Sequence, residues 1–124
     1  MTNLERVRVT FQGCKIGETF TRNEILEMVR NRFPNDVFSI KSIIPSDYCY
    51  NLTNLGKIDD PVLYDFNIFE HIDKGVYVYL SENYPYNKDI FHRPKEGNSY
   101  KIGSWTNGER IISIEKDSNI VGHE

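Results

Sequence analysis

At 124 residues the chain can bury one hydrophobic core but not two independent ones, and a net charge of −3 excludes the strongly basic nucleic-acid proteins. Eight Tyr, seven Phe and one Trp exclude a disordered chain and predict a largely aromatic core whose hydroxyls need partners. Two cysteines, Cys14 and Cys49, lie outside any CxxC and suit a reduced protein rather than a disulfide scaffold.

In chain order, "LERVRVTFQGC" places Leu4, Val7, Phe11 and Cys14 at helical spacing, while Val7, Val9 and Phe11 also alternate as in a strand. A first helix is the expectation, with the strand kept as the alternative. Gly13 and Gly17 bracket a loop. In "TFTRNEILEMVRNRFPND", Thr21 is an N-cap and Glu24 completes a capping box, with Phe20 and Ile25 as the hydrophobic staple. Ile25, Met28, Val29 and Phe33 form one apolar face, Arg30 and Arg32 suit the helix C-terminus, and Pro34 stops the helix. A third, short helix is expected from Ser39, interrupted at Pro45 because proline removes a backbone donor. After it comes "SDYCYN", a dense run of polar and aromatic groups, and then "NLTNLGKIDDP", expected as a loop.

"LYDFNIFEHIDKGVYVYL" reads as a hairpin turning at Asp73-Lys74-Gly75, with Val76, Val78 and Leu80 alternating against Tyr77 and Tyr79. "ENYPYNKD" is a turn. "SYKIGSWTNGERIISIE" predicts a second hairpin about Asn107-Gly108, with Trp105 packed, and the tail after Lys116 is expected to fray. Helix, helix, short helix and hairpin make an α+β winged helix-turn-helix: three helices plus a β-hairpin wing. Residues 1–86 would be that domain, and residues 87–124 a C-terminal β extension packed on it.

The quoted segments resemble a family of small bacterial winged-helix domains found alone or attached to restriction-type nucleases. The resemblance runs from Gly17 to Tyr86 and rests on "IPSDYCYN", the strand "GVYVYL" and the "YPY" after it. It implies the winged-helix fold and a DNA-directed context, without implying a reaction.

In such a fold the third helix meets duplex DNA, so Ser39, Lys41 and Ser42 become candidate contacts. Ser46 and Asn51 would donate to phosphates or a partner, with Asn51 able to read adenine. Tyr48 and Tyr50 either stack on an unstacked base or fill a packed corner. Asn54, Lys57 and Lys74 would touch the backbone from the loop and wing; Arg22, Arg30 and Arg32 serve either phosphates or the helix dipole. Catalytic patterns are weak. His71, His92 and His123 lack metal-ligand spacing, Cys49 with Asp47 shows no adjacent base, and Glu115-Lys116 in "IEK" is a lone ExK-like fragment. No phosphate loop or cofactor motif is present, so no cofactor or metal is expected.

Charge is uneven: residues 1–33 carry six Arg/Lys against four acids, whereas residues 59–75 carry five acids and one Lys. The expected function is therefore a non-catalytic DNA-binding module in a restriction or phage-defence setting, with double-stranded DNA as partner. The acidic stretch Asp59 to Asp73 keeps an alternative open: a small protein-binding regulator, or a phage-encoded inhibitor of a bacterial defence nuclease. No apolar run follows Met1 and none is long enough to span a bilayer, so a cytoplasmic location is expected.

Overall fold

A computed structural model of the chain describes residues 1–54, 63–94 and 97–114. Helix α1 spans Asn3–Phe11 and settles the helix-or-strand choice. Thr2 caps it in a full capping box with Glu5, which the sequence reading did not anticipate. Helix α2 spans Arg22–Arg32 and is capped by Thr21 and Glu24 as expected. Phe20, at the staple position, packs on the same core as Ile25.

Seven strands follow the chain: β1 Thr19–Thr21, β2 Leu52–Asn54, β3 Phe69–Asp73, β4 Val76–Tyr79, β5 Asp89–Arg93, β6 Tyr100–Thr106 and β7 Glu109–Ile112. They form two sheets. Sheet A has the order β1-β4-β3 and is antiparallel; sheet B has the order β2-β5-β6-β7, with β2 and β5 parallel. Two helices and seven strands overturn the winged helix-turn-helix. Leu52–Asn54 is a strand, not loop, and β1 and β5 were not foreseen; the rest of the expected loop, residues 55–61, lies outside the described residues. Because β2 pairs with β5, the segments expected as residues 1–86 and 87–124 share a sheet.

The third helix fails for local reasons. From Ser39 to Tyr48 there are only two short 3₁₀ turns, Ile40–Ser42 and Pro45–Tyr48. Val37, Ile40, Ile43 and Ile44 are β-branched and lose side-chain freedom in a helix. The Ser42 hydroxyl takes the Ser39 carbonyl as its acceptor at 2.5 Å. Ile44, ahead of Pro45, is extended at φ −115°, ψ 103°. Too few residues remain to nucleate an α-helix.

Both hairpins form. In the second, Asn107 (φ 49°) and Gly108 (φ 86°) both adopt the left-handed conformation that a two-residue primed turn requires. The main core lies between the helices and sheet A. Phe11 meets Phe20 and Phe69 edge-on and stacks near Tyr79, while Val7, Ile25, Val29 and Ile43 fill the rest. A second, smaller core joins Tyr50, Leu80 and Tyr86 with Val78, Tyr84 and Trp105.

The "SDYCYN" run is the strut between the two sheets. It pairs along β3, with the Ile68 N–H donating to the Tyr48 carbonyl and the Tyr50 N–H to the Phe69 carbonyl, and then enters sheet B as β2. Its side chains alternate between jobs. Tyr48 and Cys49 enter the main core, and Tyr50 enters the second.

Candidate functional site

Asn51 is the hinge of that strut. Its Nδ2 donates to the His71 carbonyl at 2.8 Å, and its Oδ1 accepts from the His71 N–H at 2.8 Å. A side-chain amide thus supplies β3 with the pair of bonds a neighbouring strand would supply. The same residue's carbonyl accepts the Phe91 N–H at 2.9 Å, so Asn51 ties β3 to β5. Asn51 was expected to reach a partner; its amide is committed inside the fold.

The other anticipated contacts separate in the same way. Ser46 and Tyr50 are each 2% exposed. The Tyr50 hydroxyl donates to the Ser81 carbonyl at 2.7 Å and accepts the Tyr84 N–H at 3.1 Å. Ser39 and Lys41 are exposed; Ser42 is also exposed, but its hydroxyl accepts from Asn3 Nδ2 at 2.8 Å. Asn54 ends β2, and Lys57 lies outside the described residues. Lys74 is exposed at the turn between β3 and β4. Among the described residues of this set, Ser46, Tyr50 and Asn51 are turned into the fold while Ser39, Lys41, Ser42 and Lys74 are exposed.

The structure gathers a different set around the end of sheet A. The Arg22 N–H donates to the Gly75 carbonyl at 2.9 Å, which sets the start of α2 beside the Lys74-Gly75 turn. Arg93, the last residue of β5, faces the same end, because β2 and Asn51 hold β5 against β3. The charges reach common neighbours. Burial raises the pKa of Tyr77, while Arg93 and Arg22 pull it down. Burial and Arg93 lower the pKa of His71, against a smaller opposing effect of Asp73. Among the described residues, Arg22, Lys74 and Arg93 join no ion pair, nor do Lys15, Arg30, Arg32 and Lys41, whereas Arg6, Arg8, Lys88, Lys101 and Arg110 do. The Asp73 carboxylate is turned onto the Lys74 backbone N–H at 2.8 Å. Arg93 thus acts on both His71 and the buried Tyr77, Arg22 acts on Tyr77, and Lys74 is exposed at the adjoining turn. Arg93 was missed because "DIFHR" was not recognised as a strand, although Ile90 and His92 are buried on one side and Phe91 and Asp89 exposed on the other.

Catalytic candidates find little support in their surroundings. Cys49 is fully packed, and burial pushes its thiol well above the usual range, so it stays protonated as a weak donor to the Pro45 carbonyl. Burial raises Asp47 to about 6. His92 is buried with Nδ1 at 3.3 Å from the Thr53 hydroxyl. Among the described residues no three His, Cys, Asp or Glu side chains are grouped to hold a metal ion. His123, Glu115 and Lys116 lie outside the described residues, as does the expected fraying tail. No described helix is long and apolar enough to cross a membrane.

With this geometry in place, comparison with known proteins defines the class. The chain belongs to the family described as "Domain of unknown function (DUF7225)", whose model matches residues 2–112. It is similar to "Uncharacterized protein YnaC" of Bacillus subtilis (strain 168), with 31% identity over 113 residues covering 90% of this chain. The chain spans 40% of the length of that relative. No solved structure matches.

Proposed function

We propose that the chain is a non-catalytic nucleic-acid-binding module that holds a DNA backbone at the hairpin end of sheet A through Arg22, Lys74 and Arg93. The observation that carries this reading is the convergence of three cations without ion-pair partners from three separate elements: the start of α2, the β3–β4 turn and the end of β5. Phosphates are recognised by such point charges and guanidinium forks. The chain is net acidic, so such a contact would be local. The recognition element is a sheet edge and turn in place of a helix in the major groove. We place the module in a restriction or phage-defence setting on the strength of the sequence resemblance, and YnaC's greater length is compatible with a module joined to further chain.

The test is affinity for a generic duplex at about 50 and about 200 mM salt. Three neutralised phosphates predict a fall of about 40-fold, and Arg93→Gln should reduce the slope of log affinity against log salt by about 1. Binding that is absent at low salt, or unchanged by salt, would overturn the reading and favour a protein partner.

A further inference from the structure

We infer that β7 is a docking edge for a second copy of this chain, the two copies pairing antiparallel through residues 110–112 so that their four-stranded B sheets become one continuous sheet. The inference goes beyond the proposed backbone contact and does not depend on it.

A sheet edge presents unpaired N–H and C=O groups that another strand can take up, so folded proteins guard their edges. Three of the four edges here are guarded. Along β3 the strut takes up the outer groups: the Tyr50 N–H donates to the Phe69 carbonyl, and the Asn51 amide brackets His71. β1 has three residues and runs directly into α2. β2 also has three, and its Leu52 and Thr53 are buried. β7 differs from all of these. It is the last strand in the order of sheet B, no described residue bonds to its outer side, and residues 111–114 are all exposed.

The usual deterrents to pairing are missing from β7. It holds no Pro or Lys, and the irregularity in sheet B lies between β5 and β6. Its one cation is occupied elsewhere: Arg110 donates to the Tyr64 carbonyl and the Asp65 carboxylate, each at 3.0 Å, and lies over the Trp105 ring. What the edge offers is Ile111, Ile112 and Ile114, which are 58%, 43% and 46% exposed. Side chains of this β-branched kind favour strand pairing.

Hydrogen-bond direction shows which groups face outward. The Ser113 N–H donates inward to the Ile102 carbonyl, and the Ile111 carbonyl lies against Gly103 of β6. Successive residues of an antiparallel ladder alternate, so the N–H and C=O of Arg110 and Ile112 point out. A twofold axis at Ile111 satisfies them: each Arg110 exchanges both bonds with the other copy's Ile112. Ile111 then meets its own image in the non-hydrogen-bonded position, where Cα atoms are about 4.5 Å apart and side chains touch. Glu109 falls opposite the uncharged Ser113, so no like charges are directly opposed. This self-complementarity is what selects a second copy as the occupant. The paired segments are short, well below a standard interface, so the dimer is weak and depends on concentration.

Sedimentation velocity of the chain without nucleic acid, at about 5 µM and about 500 µM, should show its mass move from one copy toward two. Ile111→Lys sets a charge beside its own image on the axis. It should remain a single copy at both concentrations, and its melting temperature should stay within about 2 °C of the parent because Ile111 is exposed. Oxidative linking reads the register, in a Cys14→Ser background where the remaining native thiol, Cys49, is buried. Ile111→Cys should join two copies, whereas Glu109→Cys, about 14 Å from its image, should not. The cysteine pair decides the matter if the lysine variant folds poorly. A single copy at both concentrations would overturn the inference. A dimer that persists in folded Ile111→Lys would place the contact elsewhere and also overturn it. Equal linking of the two cysteine variants would do the same, since chance collision would then explain both.

Discussion

Replacing Asn51 by alanine removes both hydrogen bonds to the His71 backbone, each 2.8 Å long, at a half-buried position. Each bond contributes about 0.5–1.5 kcal/mol net, and the orphaned N–H and carbonyl of His71 add part of their desolvation cost. The sum is about 2–3 kcal/mol. At about 3–5 °C per kcal/mol for a domain of this size, the melting temperature should fall by about 6–15 °C. The contrast is Tyr48→Ala, which removes a buried ring packed edge-on against Phe66 and should cost about 3–5 kcal/mol. Asn51→Asp keeps the acceptor for the His71 N–H but sets a carboxylate against the His71 carbonyl. Its loss should match or exceed that of alanine at neutral pH and recover as acid protonates it. Thermal melting followed by circular dichroism, run beside the duplex-binding assay, decides the matter. If Asn51→Ala melts within about 2 °C of the parent and has lost binding, the residue is a contact and the strut argument is wrong.

Burial holds Asp47 at about 6, above its unfolded value, so the folded state takes up a proton more readily and stability falls as pH rises from about 4 to about 6. Asp47→Asn should therefore raise stability at pH 7 by on the order of 1 kcal/mol after allowing for solvent screening, with the gain fading below about pH 6; denaturant titrations at three pH values check this. Gly103→Ala would drive a methyl into the Ile111 backbone carbonyl of the paired strand β7, and a loss of about 2 kcal/mol or more is expected in urea melts; near-neutrality would mean that β7 yields easily. Trp105 emission should be blue-shifted in the native state and quenched poorly by iodide, since the indole is bonded to Tyr50 within the second core; quenching at the unfolded rate would contradict that packing.

Local chemistry determined a good part of this protein. Thr21 and Glu24 announce α2, because a capping box satisfies backbone donors within four residues wherever the helix lies. Asn107-Gly108 announces the β6–β7 hairpin, because few residues tolerate two successive left-handed conformations. Lys74 was legible as an exposed turn cation for a similar reason. The short strands were not legible. β1 and β2 have three residues each, too few to show a period, and they exist only because β4 and β5 pair with them. The apolar run before Pro45 matched helical spacing, but Ile43 is buried with Ile40 packed partly beside it, while Ile44 stayed exposed. Tertiary structure also decided the meaning of "SDYCYN". Its amide, hydroxyl and rings look like a contact surface until β3 and β5 are placed beside them. Asn51 then completes one sheet edge and Tyr50 roofs a second core, because a chain crossing between two sheets must satisfy its backbone and its neighbours' backbone as it goes. The approach of Arg22 and Arg93 to Tyr77 belongs to the same category: 71 positions separate the two, and strand pairing with the Asn51–His71 bonds brings them together.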